Sequence, residues 1–241
     1  MLHPPPPQRG SDDVLKVEGL AVRFGKVLIF RNVSFRVPPG SALAIIGPNG
    51  SGKTVLFRAL LGAIPSEGTF RWAADVRIGY VPQHLDIARD VPVTGTDFLR
   101  ARASMAGVSR EAISEALALV GLRPEVADLP IGAVSGGQFQ RLLIAFALVG
   151  NPTVLLLDEP MAGVDDPGEE RLNELVRRLQ QERHLTMLLI SHDLSVVYRH
   201  ATTVLCMSRD HIYVGKPRDI LTTDLLHEVY GSPVAFHVHD H

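Results

Sequence analysis

The sequence predicts an α/β protein: a mostly parallel sheet, a region of antiparallel strands, and a block of helices inserted into the chain. Three observations carry this. Short apolar runs at Ala42–Ile46, Thr153–Leu157 and Met187–Ile190 read as strands buried on both faces. Strand-like and helix-like segments alternate before residue 84 and after residue 149. Between those points the apolar spacing is helical.

The elements follow in order. Pro4–Pro7 fit neither a helix nor a central strand, so residues 1–13 read as a disordered or extended arm. Val14–Glu18 and Asn32–Val37 alternate apolar and polar, as strands with one wet face do. Pro38-Pro39-Gly40 is a turn, and Ala42–Ile46 follows as a strand. A Gly-rich loop leads into a helix over Thr54–Leu61, then a strand over Arg77–Val81. Helices are expected over Asp97–Met105, over Arg110–Val120 with Ser109 as its N-cap, and over the strongly apolar Gln138–Val149. Thr153–Leu157, the charged amphipathic helix Gly168–Arg183 and Met187–Ile190 restore the alternation. Thr203–Met207 and His211–Val214 read as a hairpin, and Ile220–Tyr230 as a closing helix. At ~150 residues per domain, 241 residues give one large domain or a core with an insertion. The expected division is a core of 14–83 and 150–235 and a helical subdomain of about 84–149. Residues 236–241 form a His-containing tail.

Composition excludes several function classes. A net charge of −2 and a pI near 6.5 argue against a protein that coats nucleic acid. One cysteine, Cys206, excludes an internal disulfide and suits a reducing compartment. Cys206 has apolar neighbours on an expected strand, so core packing is favoured over metal ligation. The longest apolar run, Leu142–Val149, is far short of the roughly 18 residues of a membrane span. The first residues carry no apolar signal-peptide segment, so the expectation is a cytoplasmic protein.

Gly47-Pro48-Asn49-Gly50-Ser51-Gly52-Lys53-Thr54 matches the phosphate-loop spacing G-x-x-x-x-G-K-[ST]. Glycines let successive N–H groups turn inward around phosphate oxygens, and the following helix aims its positive end at the same anion. Lys53, one of only four lysines in the chain, supplies a point charge. Thr54 offers a hydroxyl to Mg²⁺. The loop lies between a buried strand and a helix, as in a P-loop NTPase core; the alternative is a Gly-rich turn with no ligand. The strand Thr153–Leu157 ends in Asp158-Glu159. Asp158 would hold Mg²⁺ and Glu159 would act as general base on the attacking water, unless the pair is merely a solvated turn.

Val134-Ser135-Gly136-Gly137-Gln138 resembles the signature motif of ATP-binding cassette (ABC) ATPases, with Val where Leu is usual. Physically it is a second anion site, a hydroxyl and glycine N–H groups at a helix N-terminus. Other positions resemble that family in order. Phe24 matches the aromatic residue that stacks on adenine, with a core or hairpin role as the alternative. Gln83, in Tyr80-Val81-Pro82-Gln83, matches the glutamine that contacts Mg²⁺ and water. Ala162-Gly163-Val164-Asp165 matches the loop that crosses the dimer interface. His192 matches the switch histidine at the γ-phosphate. The resemblance covers residues 14–230. It implies an active ATPase that binds ATP and Mg²⁺ and closes as a head-to-tail homodimer. Ser135, Gly136, Gly137, Gln138 and Asp165 would then contact the nucleotide of the partner subunit.

A single short cassette without long coiled coils resembles the motor of a transporter with separate integral membrane permease subunits. Residues about 84–105 would form the docking surface. The resemblance thus implies a peripheral protein at the cytoplasmic face of the cell membrane, with no nucleic-acid partner. Three stretches resemble the zinc- and manganese-importer branch: Tyr80–Leu85 with Asp90–Thr94 and Asp97–Leu99; Glu159–Asp165; and Val204–Pro217 with its Cys206. An extracytoplasmic metal-binding protein would complete such a system. Manganese or iron-chelate import, a regulatory ATP-binding module and a non-transport role are the alternatives. In an extended tail His237, His239 and His241 share one face, and neutral imidazoles bind Zn²⁺. The tail is either a zinc site or a disordered segment with incidental histidines.

Overall fold

The computed structural model describes residues 13–85, 92–162, 164–208 and 211–231. The arm before Asp13 and the tail histidines therefore lie outside the described residues, as do Gly163 and residues 86–91 of the expected docking surface.

The chain opens with β1 (Leu15–Phe24) and β2 (Val27–Val37). Both are longer than the alternation suggested, because register shifts interrupt their pairing. Gly19 (φ 59°) and Asn32 (φ 56°) sit in left-handed conformations within them. Each such irregularity flips the inward face, so a simple alternation captures one half of each strand. Next come β3 (Ala42–Ile46), α1 (Lys53–Leu60), β4 (Glu67–Trp72) and β5 (Ile78–Val81). β4 was not legible as a strand. It is an edge strand with only Phe70 and Trp72 partly covered among six residues.

The helical block holds α2 (Gly95–Ala106), α3 (Glu111–Leu119), the short α4 (Pro124–Ala127), a 3-10 turn at Ile131–Ala133 and α5 (Gly136–Leu148). The expected Ser109 cap is corrected. Arg110 precedes α3, no side chain caps it, and the Ser109 hydroxyl bonds the Glu111 carboxylate instead. β6 (Val154–Asp158), α6 (Asp166–Arg183), β7 (Thr186–Ile190), α7 (Leu194–His200), β8 (Thr203–Met207) and β9 (Ile212–Gly215) follow. The single closing helix expected over Ile220–Tyr230 is two helices, α8 (Pro217–Ile220) and α9 (Thr223–Tyr230). Leu221 (ψ 49°) breaks the run, and the Thr222 hydroxyl accepts from the N–H of Leu225 to restart it.

β2-β1-β4 form one antiparallel sheet, and β5-β6-β7-β3-β8-β9 the other. The first five strands of the larger sheet run parallel, and β9 returns antiparallel to β8. Its side chains divide by face. Leu43, Ile45, Leu156, Leu188 and Leu205 pack toward α1 and the small sheet. Leu155, Leu157 and Met187 face α5 and α6, while Ala44, Ile46 and Cys206 face α7 to α9. Burial on both faces explains the unbroken apolar runs. α5 also presses on β5: a Cβ on Gly79 would sit 2.7 Å from the Ala147 carbonyl oxygen. From α6, Arg178 donates to the Leu119 carbonyl at 2.8 Å and Arg183 pairs with Glu115, which joins α3 of the helical block to α6. Among the described residues no helix is long and apolar enough to cross a membrane.

Candidate active site

Parallel strands deliver their carboxyl ends to one edge of a sheet, where an α/β fold builds its crevice. Here β3 delivers the loop 47–54, β5 delivers Gln83, β6 delivers Asp158 and Glu159, and β7 delivers His192. β6, β7 and β3 are adjacent, so residues more than a hundred positions apart in sequence become neighbours.

Glycines at three loop positions are required by geometry. Gly47 (φ 145°), Gly50 (φ 79°) and Gly52 (φ 97°) occupy the region that side chains disfavour. Gly52 caps α1 without a side-chain hydrogen bond, which leaves the first-turn N–H groups of α1 for an anion. The Lys53 ammonium is buried and donates to the carbonyls of Gly47 at 2.8 Å and Pro48 at 3.1 Å. Burial lowers its pKa, opposed by the charges of Glu159 and Asp158. The buried Ser51 hydroxyl has no hydrogen-bond partner among the described residues. An orphaned hydroxyl and uncapped N–H groups around an ammonium fit the phosphates of a nucleotide.

Asp158 is fully buried. Burial pushes its pKa up, and hydrogen bonds from Thr54 and Tyr80 hold it down in part. Thr54 Oγ1 donates to Asp158 Oδ1 at 3.1 Å and Tyr80 Oη to Asp158 Oδ2 at 3.4 Å. A hydroxyl and a carboxylate in contact, with the Gln83 amide nearby, are hard oxygen donors of the type Mg²⁺ takes, so these residues fit that ion. Tyr80 is a site residue with no part in the motifs, placed there by its hydrogen bond to Asp158. Its signal was its place in β5 opposite Leu156, which no motif reports.

Glu159 adopts φ 47°, left-handed for a non-glycine residue, a conformation that costs of order 1 kcal/mol or more. Its N–H donates to the Ile190 carbonyl at 3.1 Å, extending the β6–β7 pairing by one residue. Gln83 Nε2 donates to Glu159 Oε2 at 2.8 Å. His192 is exposed and lines a shallow depression with Glu159, Met161 and Ser191. Phe24 ends β1 beside the hairpin tip and is 47% exposed, so it is not a core residue.

Ser135 and Gln138 cap α5 reciprocally. Ser135 Oγ accepts from the Gln138 N–H at 3.3 Å, and Gln138 Oε1 accepts from the Ser135 N–H at 2.9 Å. Ser-Gly-Gly-Gln is thus also a capping box, a signal present in the sequence beside the motif reading. Ser135 and Gly136 are exposed and Gly137 and Gln138 partly so. Among the described residues no hydrogen bond joins this turn to the phosphate loop. Asp165 is exposed at the start of α6 and makes no side-chain cap bond. One chain therefore gathers the loop, Gln83, Asp158, Glu159 and His192, and leaves Ser135–Gln138 and Asp165 outward. Cys206 is buried in an apolar cluster, its thiol pushed up to about 12 by burial and by the Glu228 charge. Among the described residues no group of three or more His, Cys, Asp or Glu side chains could hold a metal ion.

The ABC transporter family model matches residues 30–162. The zinc import ATP-binding protein ZnuC of Pseudomonas fluorescens is 37% identical over 237 residues, covering 96% of this chain and 89% of that protein. Its namesake in Cereibacter sphaeroides is 40% identical over 213 residues, covering 88% and 86%. Among solved structures, a transporter described as of metal-chelate ABC type, in an inward-facing conformation, superposes with a TM-score of 0.83 at 26% identity, covering 92% of this chain and 90% of that one. An ATP-binding cassette of an ABC transporter in its ADP conformation superposes with a TM-score of 0.78 at 24% identity, over 91% and 99%, and shares the fold. The chain belongs to the ABC transporter family and is an ATPase, the ATP-binding subunit of such a transporter.

Proposed function

We propose that the chain hydrolyses MgATP at a head-to-tail homodimer interface to drive uptake of a divalent metal, zinc before others. The observation that carries the hydrolytic reading is the Gln83–Glu159 hydrogen bond of 2.8 Å beside the Thr54–Asp158 pair. In this reading Phe24 stacks on adenine, and residues 47–54 cradle the phosphates. Lys53 turns its ammonium from its own loop carbonyls to the phosphate oxygens. Thr54, Asp158 and Gln83 would hold Mg²⁺, which when bound neutralises developing phosphate charge. Glu159 takes a proton from the attacking water, oriented by Gln83, and His192 donates to the γ-phosphate. The exposed Ser135–Gln138 turn and Asp165 complete the site of the partner subunit, a reading supported by the exposure of Ser135, Gly136 and Asp165.

Zinc rests on relatives named as zinc import proteins at 37 and 40% identity and on the stretches around Gln83, Met161 and Cys206. The metal-chelate description of a similar structure supports import of a chelated metal as the second reading, under which iron-chelate import falls, with manganese a further alternative. Integral membrane permease subunits would dock near residues 84–105, where Leu85 and Met105 are exposed, and an extracytoplasmic metal-binding protein would feed them. Deleting the gene in its host should abolish high-affinity zinc uptake and growth in chelator-treated medium. Added zinc should restore growth, while manganese and iron should not. Normal uptake of radioactive zinc by the deletion strain would overturn the reading.

The tail is a separate proposal: His237, His239 and His241 bind Zn²⁺ and modulate the ATPase. Calorimetry should detect zinc binding by the full chain and its loss on truncation after Phe236. Unchanged binding by the truncated chain would sink the idea.

A further inference from the structure

We infer that Tyr230, at the end of α9, is a positioning residue for nucleotide binding: its hydroxyl oxygen holds the first N–H of the phosphate loop. The inference rests on the reading that residues 47–54 cradle ATP. It adds a contact from 183 positions away that no phosphate-loop motif contains.

Gly47 is fixed on three sides. Its N–H donates to Tyr230 Oη at 3.1 Å. Its carbonyl accepts the Lys53 ammonium at 2.8 Å. Its α-carbon lies so close to β8 that a Cβ would stand 2.0 Å from the Met207 carbonyl oxygen. The peptide before Gly47 and the carbonyl after it turn about the same α-carbon. With the N–H held by Tyr230 and the carbonyl by Lys53, both peptide planes that flank Gly47 are held before a nucleotide arrives. A loop held ready loses less freedom on binding.

α9 is suited to such a role. Leu226 and Val229 are buried in the cluster that also contains Ile46, the residue before Gly47. Gly231 (φ 69°) stops the helix directly after Tyr230. Two residues earlier Glu228 accepts the Tyr213 hydroxyl at 2.7 Å, which ties α9 to the β8–β9 hairpin. Helix and hairpin thus grip Gly47 from two directions. Burial pushes the Tyr230 phenol up to about 12, so it is neutral near pH 7.

Tyr230→Phe removes one oxygen and keeps the ring. We expect the Kd for ATP, read by displacement of a fluorescent trinitrophenyl-ATP, to weaken about tenfold, the scale of stranding one partly buried backbone donor. KM should rise in parallel and kcat stay within about twofold. Tyr213→Phe serves as the control. It loosens α9 at Glu228 and leaves the Tyr230 hydroxyl in place, so its Kd should match wild type. The inference is overturned if Tyr230→Phe lowers only the melting temperature, or if Tyr213→Phe weakens ATP as much. Lys53→Ala separates the two levels. If Lys53→Ala loses ATP while Tyr230→Phe binds normally, only the Tyr230 role fails. If Lys53→Ala binds like wild type, the loop reading fails and the inference with it.

Discussion

Glu159→Gln is expected to bind ATP within about twofold of wild type and to hydrolyse it about 100-fold more slowly or worse, the range for loss of a general base. The substitution keeps the shape of the side chain and leaves an oxygen to accept the 2.8 Å hydrogen bond from Gln83. The backbone should also stay in place: φ 47° at this position accompanies a bond from its N–H to the Ile190 carbonyl, in which the carboxylate takes no part. Only the basicity is lost. With MgATP the variant should accumulate as a dimer on size-exclusion chromatography, because closure no longer ends in hydrolysis. Wild-type turnover by this variant would mean that another group is the base.

Gly47→Ala should be the most damaging single-methyl change in the loop. The added carbon would meet the Met207 carbonyl oxygen at 2.0 Å, and that atom belongs to a strand paired on both sides. Neither partner can withdraw cheaply, and φ 145° adds strain of its own. Together these cost about 3 kcal/mol or more, or roughly 6–12 °C in Tm for a chain of this length. Gly50→Ala is the comparison. Gly50 has φ 79° and open space around its α-carbon, so it should lose only about 1 kcal/mol, or 2–4 °C. Differential scanning calorimetry decides. Equal melting temperatures for the two variants would contradict the packing of the loop against β8.

Much of this architecture was legible because the relevant signals are local. Ala42–Ile46 and Thr153–Leu157 announce strands buried on both faces by composition alone, and the loop glycines announce a backbone that must bend. What was not legible depends on distant partners. β4 is a strand because β1 offers it an edge; its own residues Glu67, Gly68 and Thr69 say nothing of that. α7 spans only seven residues, and its start signal, Asp193 accepting from the N–H groups of Ser195 and Val196, was overshadowed by the adjacent His192. In the site, Lys53, Asp158 and Glu159 could be named from spacing. Tyr80 and Tyr230 could not, since the register of β5 and the docking of α9 bring them in. Motifs mark the groups with special chemistry and pass over ordinary residues that hold those groups still.

The place of β3 also bears on how the molecule is made. β3 pairs with β7 and β8, so Leu43 lies opposite both Leu188 and Thr203. A ribosome adds about 5–20 residues per second, so β3 waits on the order of ten seconds or more for its neighbours to be synthesised. The small sheet, complete once Trp72 is made, can close much earlier. During that interval the loop after β3 lacks the Met207 carbonyl and the Tyr230 hydroxyl that shape it. A nascent chain should therefore carry the motif for a nucleotide well before it can hold one, and its apolar central strand is the segment most in need of protection until then.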